Sequence, residues 1–162
     1  MCGLDNLFGL EFVNVYKNYN KTIPSKIELV GCTVNEIINF IIDNITFIDE
    51  NTLFELKVIL NELIVNAVIH GNKENVDKLV KISLMLTLDE SVILMVADDG
   101  EGYDYQYYLN RSNELNDIGM IQWNEIEESG RGITIVKNLC DRIEINQKGN
   151  EIYILKSLKN VK

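Results

Sequence analysis

The chain of 162 residues has only one proline, one histidine, one tryptophan and three cysteines. Cys2, Cys32 and Cys140 are odd in number, widely spaced and form no CxxC pair, and the lone His70 could not complete a tetrahedral site, so neither a disulfide framework nor structural zinc is expected. No apolar run approaches the ~20 residues of a membrane span. The N-terminal MCGLDNLFGLEFVN lacks a basic leader and an unbroken apolar stretch, which predicts a soluble, cytoplasmic protein. Clusters of Lys and Arg are missing too. With 15 basic against 25 acidic residues, a net charge of -10, the surface repels nucleic acid and suits a basic protein partner or simple solubility. Neither GxxxxGK[ST] nor GxGxxG occurs, so P-loop and dinucleotide-binding explanations are unsupported.

What is present is ordinary globular composition, 46% hydrophobic and 25% charged, which excludes disorder of the whole chain. A chain of this length fits one domain and buries roughly 70% of its unfolded surface. Residues 1–25 read as an extension with a strand near Glu11 to Tyr16 and a turn at Asn18-Tyr19-Asn20 before Pro24. From Thr33 to Phe47, Val34, Ile37, Ile38, Ile41, Ile42 and Ile45 recur at helical spacing. A second helix is predicted over 52–70, opened by a capping box at Thr52 and Glu55, striped by Leu53, Leu56, Leu60, Leu63, Ile64 and Ala67, and closed at Gly71.

Alternation of Val80, Ile82, Leu84, Leu86 and Leu88 with smaller or polar residues predicts a half-buried strand, and the run Val92 to Ala97, apolar on both faces, predicts a central one. Residues 103–129, rich in Asn, Glu, Asp and Tyr, show no sustained period and are read as a lid, with a short helix near Tyr105 to Leu109. A helix over 131–141 buries Ile133, Val136, Leu139 and Cys140, and two strands, Arg142 to Asn146 and Glu151 to Leu158, meet at the turn residues Gly149-Asn150. The sum is an α/β two-layer sandwich, a mostly antiparallel mixed sheet with helices on one face.

Three polar clusters interrupt these apolar patterns. In ELIVNAVIHGN, Glu62, Asn66 and His70 recur every four residues and so share one side of a helix. Asp98-Asp99-Gly100-Glu101-Gly102 follows the central strand, and Gly130-Arg131-Gly132 precedes the last helix. Each alone has a plain explanation: a solvated helix face, a loop, a helix cap.

Taken in order, ELIVNAVIHGN, VADDGEGYD and SGRGITIV make the sequence resemble the gyrase, histidine-kinase and mismatch-repair superfamily of ATP-binding domains, those with the Bergerat nucleotide fold, over residues 26–158. Within it the chain looks most like the small bacterial anti-sigma-factor serine/threonine kinases. That resemblance implies ATP and magnesium as cofactors, an ATP lid over 103–129, a sigma factor and a small anti-sigma-factor antagonist as partners, and a homodimer. It assigns Asn66 to magnesium, a hard cation suited to an amide oxygen, and Glu62 to the general base. Asp98 matches the adenine-reading carboxylate, an acceptor-only group that would reject the carbonyl of guanine. Gly100 and Gly102 match the glycines beside the base, while Gly130 and Gly132 match the phosphate-binding glycines at a helix start, with Arg131 either adding charge or facing solvent. His70 is read as packing, and Trp123 as either a nucleotide cover or a lid anchor. Two departures stand out: Glu151 occupies the place of a threonine that assists adenine recognition, and the lid is acidic, with Arg111 its only base. A non-catalytic ATP-binding module and a detached histidine-kinase catalytic domain remain as competing readings.

Overall fold

Val80, Ile82, Leu84 and Leu86 alternate along β2 (Leu79–Thr87), and in the computed structural model, which describes residues 7–9, 13–102 and 128–159, all four are buried on one face. β2 is paired on one side with β1 (Val15–Pro24) and on the other with β3 (Ser91–Asp98); β3 in turn pairs with β5 (Glu151–Ser157), and β5 with β4 (Arg142–Ile145). The order is β1-β2-β3-β5-β4, and every pairing is antiparallel rather than mixed. β3 is thus central, which explains why it needs apolar residues on both faces.

Helices α1 (Val30–Asn44), α2 (Glu50–Asn66) and α3 (Glu128–Leu139) share one core with the inward residues of the sheet, so the expected two-layer α/β architecture holds. In α1 the predicted stripe buries Val34, Ile37, Ile38 and Ile41, but Ile42 is exposed and Ile45 lies past the helix end. α2 is not opened by the expected Thr52/Glu55 box. Its N-cap is Asp49, whose Oδ1 accepts the N–H groups of Asn51 and Thr52 at 3.0 Å each, while the Thr52 hydroxyl donates to Oδ2. Glu55 is left for another partner.

The expected turn at Asn18-Tyr19-Asn20 is instead the middle of β1, paired with Met85, Leu84 and Ser83. Tyr19 stacks at 5.3 Å on Phe40 and its hydroxyl donates to Glu36 at 2.6 Å, so strand pairing and ring burial override the turn preference of the flanking asparagines. The predicted early strand shifts accordingly from 11–16 to 15–24. On the open sheet face Phe8 packs on Met85 and Ile93, and Arg142 donates to its carbonyl. The expected lid helix, Arg111 and Trp123 lie outside the described residues. Among the described residues no helix is long and apolar enough to cross a membrane.

The cap on α2 generates a prediction. Hydrogen bonds from Thr52, its hydroxyl above all, hold the Asp49 carboxyl below its ordinary pKa, so the stabilisation is present at neutral pH and is lost as pH falls through that lowered value. Asp49→Ala is expected to lower Tm at neutral pH. The difference from the parent protein should shrink in acid, as thermal unfolding across a pH series would show.

Candidate functional site

Glu62 and Asn66, one turn apart on α2, leave the helix on one side and meet α3 where Gly132 has no side chain. A β-carbon on Gly132 would lie 2.5 Å from Glu62 Oε2 and 3.3 Å from Asn66 Nδ2. Asn66 is buried, and among the described residues its Nδ2 has no hydrogen-bond partner. Leaving such an atom unpaired costs about 1–3 kcal/mol, which makes this amide a candidate to meet a ligand. Rotating it by half a turn presents the oxygen instead. α3 already includes Glu128, earlier than the glycine pair suggested, so Gly130 and Gly132 lie within the helix rather than before it.

The second cluster forms where α2 passes into a π-helical turn, Ala67–Gly71, with the Asn72 N–H bonded to the Ala67 carbonyl at 2.9 Å. The turn ends with Gly71 against Asp98. A β-carbon on Gly71 would fall 2.4 Å from both Asp98 Cγ and Oδ2, and one on Gly100 would fall 2.1 Å from the Gly71 carbonyl oxygen. Gly71, read from sequence as a helix C-cap, is a glycine because a carboxylate occupies the space of its side chain. Asp98 is only 8% exposed, and the Gly100 N–H donates to its Oδ1 at 2.8 Å. Burial raises its pKa above the usual carboxylate value; the Gly100 amide, Lys148 and Lys78 oppose the rise, and Asp99 adds to it. Five residues separate Asn66 from Gly71, about 7 Å along the helix, so the two clusters are spaced like the ends of one small ligand.

Several supporting residues had no sequence signal pointing to this role. Asn150 donates to the Asp98 carbonyl at 2.9 Å, and the Asp98 N–H donates to the Asn150 carbonyl at 2.9 Å, fixing the end of β3 to the hairpin. Asn72, also buried, donates to Ser25 at 2.7 Å and to the Leu79 carbonyl at 2.9 Å. Exposed Asp99 accepts the Leu79 N–H at 2.9 Å and faces Lys81. Gly102 has φ of +95°, and a β-carbon there would lie 1.7 Å from the Lys148 carbonyl. Glu151 shares the open face of the sheet with Tyr153, whose hydroxyl donates to it, so the residue beside Asp98 at this hairpin is Asn150. Exposed His70 and Arg131 stand at the margins of the two clusters. Among the described residues no three or more His, Cys, Asp or Glu side chains gather into a metal cage.

An antiparallel sheet with helices on one face, carrying a buried carboxylate at the end of its central strand and a Glu–Asn pair against a glycine of a facing helix, defines a class of α/β domain. Residues 24–156 match the histidine kinase-like ATPase domain, and the chain belongs to that family. It is 34% identical over 113 residues to the anti-sigma F factor of Priestia megaterium, covering 68% of this chain and 73% of that one. With the anti-sigma F factor of Bacillus cytotoxicus it shares 33% identity over 111 residues, 67% of this chain and 71% of the relative. A histidine kinase domain from the Erythrobacter litoralis EL346 blue-light activated histidine kinase aligns at 19% identity with a TM-score of 0.48, over 84% of this chain and 62% of that one.

The glycines separate stability from site geometry. Gly132→Ala crowds the flexible end of Glu62 and, less closely, the Asn66 amide, and gains helix propensity of about 1 kcal/mol, so Tm should hold or rise while the carboxylate is displaced. Gly102→Ala meets backbone at positive φ and should destabilise by more than about 1 kcal/mol. Denaturant titration of both variants checks the contrast.

Proposed function

We propose that the protein is an ATP-dependent serine/threonine kinase that also binds and restrains a sigma factor, with a small anti-sigma-factor antagonist as phosphoryl acceptor. The observation that carries this reading is the meeting of Glu62 and the buried amide of Asn66 with α3 at Gly132. The printed names of the relatives, anti-sigma F factors, supply the partner class.

In this reading Asp98 accepts a hydrogen bond from the exocyclic amine of adenine, and that donor offsets the cost of keeping the buried carboxylate ionised. Gly71 and Gly100 leave room for the Asp98 carboxylate and Gly102 for the Lys148 carbonyl, which together wall the base end, and Gly130, Arg131 and Gly132 of α3 would lie on the phosphate side. Asn66, an orphaned buried amide, would hold magnesium, which when bound neutralises phosphate charge. Glu62 is half-buried and borders the groove between α1 and α2 lined by Val34, Asn35, Lys57 and Asn61, so a serine of a partner can approach it from solvent. As the serine oxygen bonds the γ-phosphorus, Glu62 takes the hydroxyl proton, the bond to the β–γ bridging oxygen breaks, and ADP leaves. A homodimer belongs to the same reading: β1 is an edge strand of ten residues to which a second copy can add. Sedimentation showing monomer alone at high concentration would contradict it.

Two variants test the assignment. Glu62→Ala should cut radiolabelled phosphate transfer to an antagonist protein by about 100-fold to 10,000-fold with ATP affinity intact; undiminished transfer removes Glu62 from its role. Asp98→Asn should abolish ATP binding by calorimetry. Because the Asp98 pKa is raised, its folding penalty appears as pH rises through that value, so the ligand-free Asn variant should match or exceed the parent Tm at neutral pH, the gap closing in acid.

A further inference from the structure

Gly71 and Asp98 are each followed by a residue whose side chain grips the same backbone unit. Asn72, next after Gly71, donates from Nδ2 to the Leu79 carbonyl at 2.9 Å. Asp99, next after Asp98, accepts the Leu79 N–H on Oδ2 at 2.9 Å. Leu79 is the first residue of β2 and lies one position beyond the last pair of β2 and β3, Val80 opposite Asp98. Where the pairing of those two strands has ended, side chains hold both the N–H and the carbonyl of the next residue.

These bonds close a path from Gly71 through Asn72, Leu79 and Asp99 to Asp98. Gly71 comes from the π-helical turn after α2 and Asp98 from the end of β3, so two layers of the fold meet there. They are pressed together so closely that a β-carbon on Gly71 would fall 2.4 Å from the Asp98 carboxylate. Van der Waals contact limits how near two such segments come but holds them together only weakly. The outer limit on their separation is set by the two hydrogen bonds to Leu79. That of Asn72 is the stronger, because its side chain is 1% exposed, whereas the Asp99 carboxylate is open to water and faces Lys81 at 3.7 Å.

We infer that Asn72 and Asp99 are positioning residues that act as one clamp on Leu79, fixing the separation of Gly71 from Asp98 and thereby affinity for the base but not for the phosphates. This rests on the nucleotide reading given above. Glu62 and Asn66 lie on α2 before the π-helical turn and take no part in these bonds. Ser25 supplies an internal control: it accepts a second hydrogen bond from the same Asn72 amide, at 2.7 Å, without touching Leu79 through it.

Calorimetry of the full chain with magnesium-ATP, adenosine and magnesium-tripolyphosphate, alongside Tm, tests the clamp. Asn72→Ala should weaken ATP and adenosine alike by about tenfold while tripolyphosphate stays within about twofold. Asp99→Ala should show the same pattern to a smaller degree, and Asp99→Asn, which keeps an acceptor for the Leu79 N–H, should restore the parent affinity. Carrying Asn72→Ala and Asp99→Ala together should cost no more than Asn72→Ala alone, since either break opens the path. Ser25→Ala should lower Tm and leave adenosine affinity within about twofold. Should Asn72→Ala fail to fold, loss in Asp99→Ala with recovery in Asp99→Asn carries the test. A lower Tm with the parent adenosine affinity, an equal loss for tripolyphosphate, or losses that multiply in the double variant overturn the clamp alone. If the parent protein itself binds tripolyphosphate as tightly as ATP, the nucleotide reading falls and the clamp with it.

Discussion

A carboxylate held almost out of water at the end of the central strand sets the terms for the rest of this protein. Asp98 ends β3, which has partners on both sides, so its backbone cannot yield to relieve crowding. The space its side chain occupies is taken from two other segments: Gly71 and Gly100 have no room for a β-carbon. Asn150 and the neighbouring Asp99 fasten this end of the sheet to the hairpin and to the start of β2. Burial disfavours the ionised form by more than the Gly100 amide, Lys148 and Lys78 favour it.

Helix α2 connects that carboxylate to everything else. Capped at Asp49, it offers Glu55 to the buried Lys156, then Glu62 and Asn66 to α3, and passes through a wider turn that delivers Gly71 to Asp98. One helix thus joins the contact at Gly132 to the cluster around Asp98. Glu62 also borders a groove between α1 and α2. The same helix buries Leu56, Ile59, Leu60, Leu63 and Ile64, so the functional face and the core face share a backbone and a displacement of one is felt by the other.

Where hydrophobic period dominated, the reading of the sequence was close. β2, β3 and β5 differ from expectation by about a residue at each end, and α1 and α2 by a few, because strict alternation or a long apolar stripe leaves one arrangement that buries it. It failed at β1, whose asparagines favour turns in isolation, and at the caps: Asp49 lies before the apolar stripe begins, and α3 starts upstream of the glycines that seemed to open it. Local signals lost there to pairing with β2, to a side chain one turn earlier, and to packing on α2.

Residue types and their order determined the family, the two-layer architecture and the candidates Glu62, Asn66, Asp98, Gly100, Gly102, Gly130, Arg131 and Gly132, since chemistry and period are properties of the chain itself. The tertiary structure alone decided that Gly71 makes room for a carboxylate rather than ending a helix, that Asn150 and not Glu151 stands beside Asp98, and that Lys156 lies in the core between Glu55 and the end of α3. These are contacts between residues tens of positions apart, and no spacing along the chain encodes the direction from which a distant backbone will arrive.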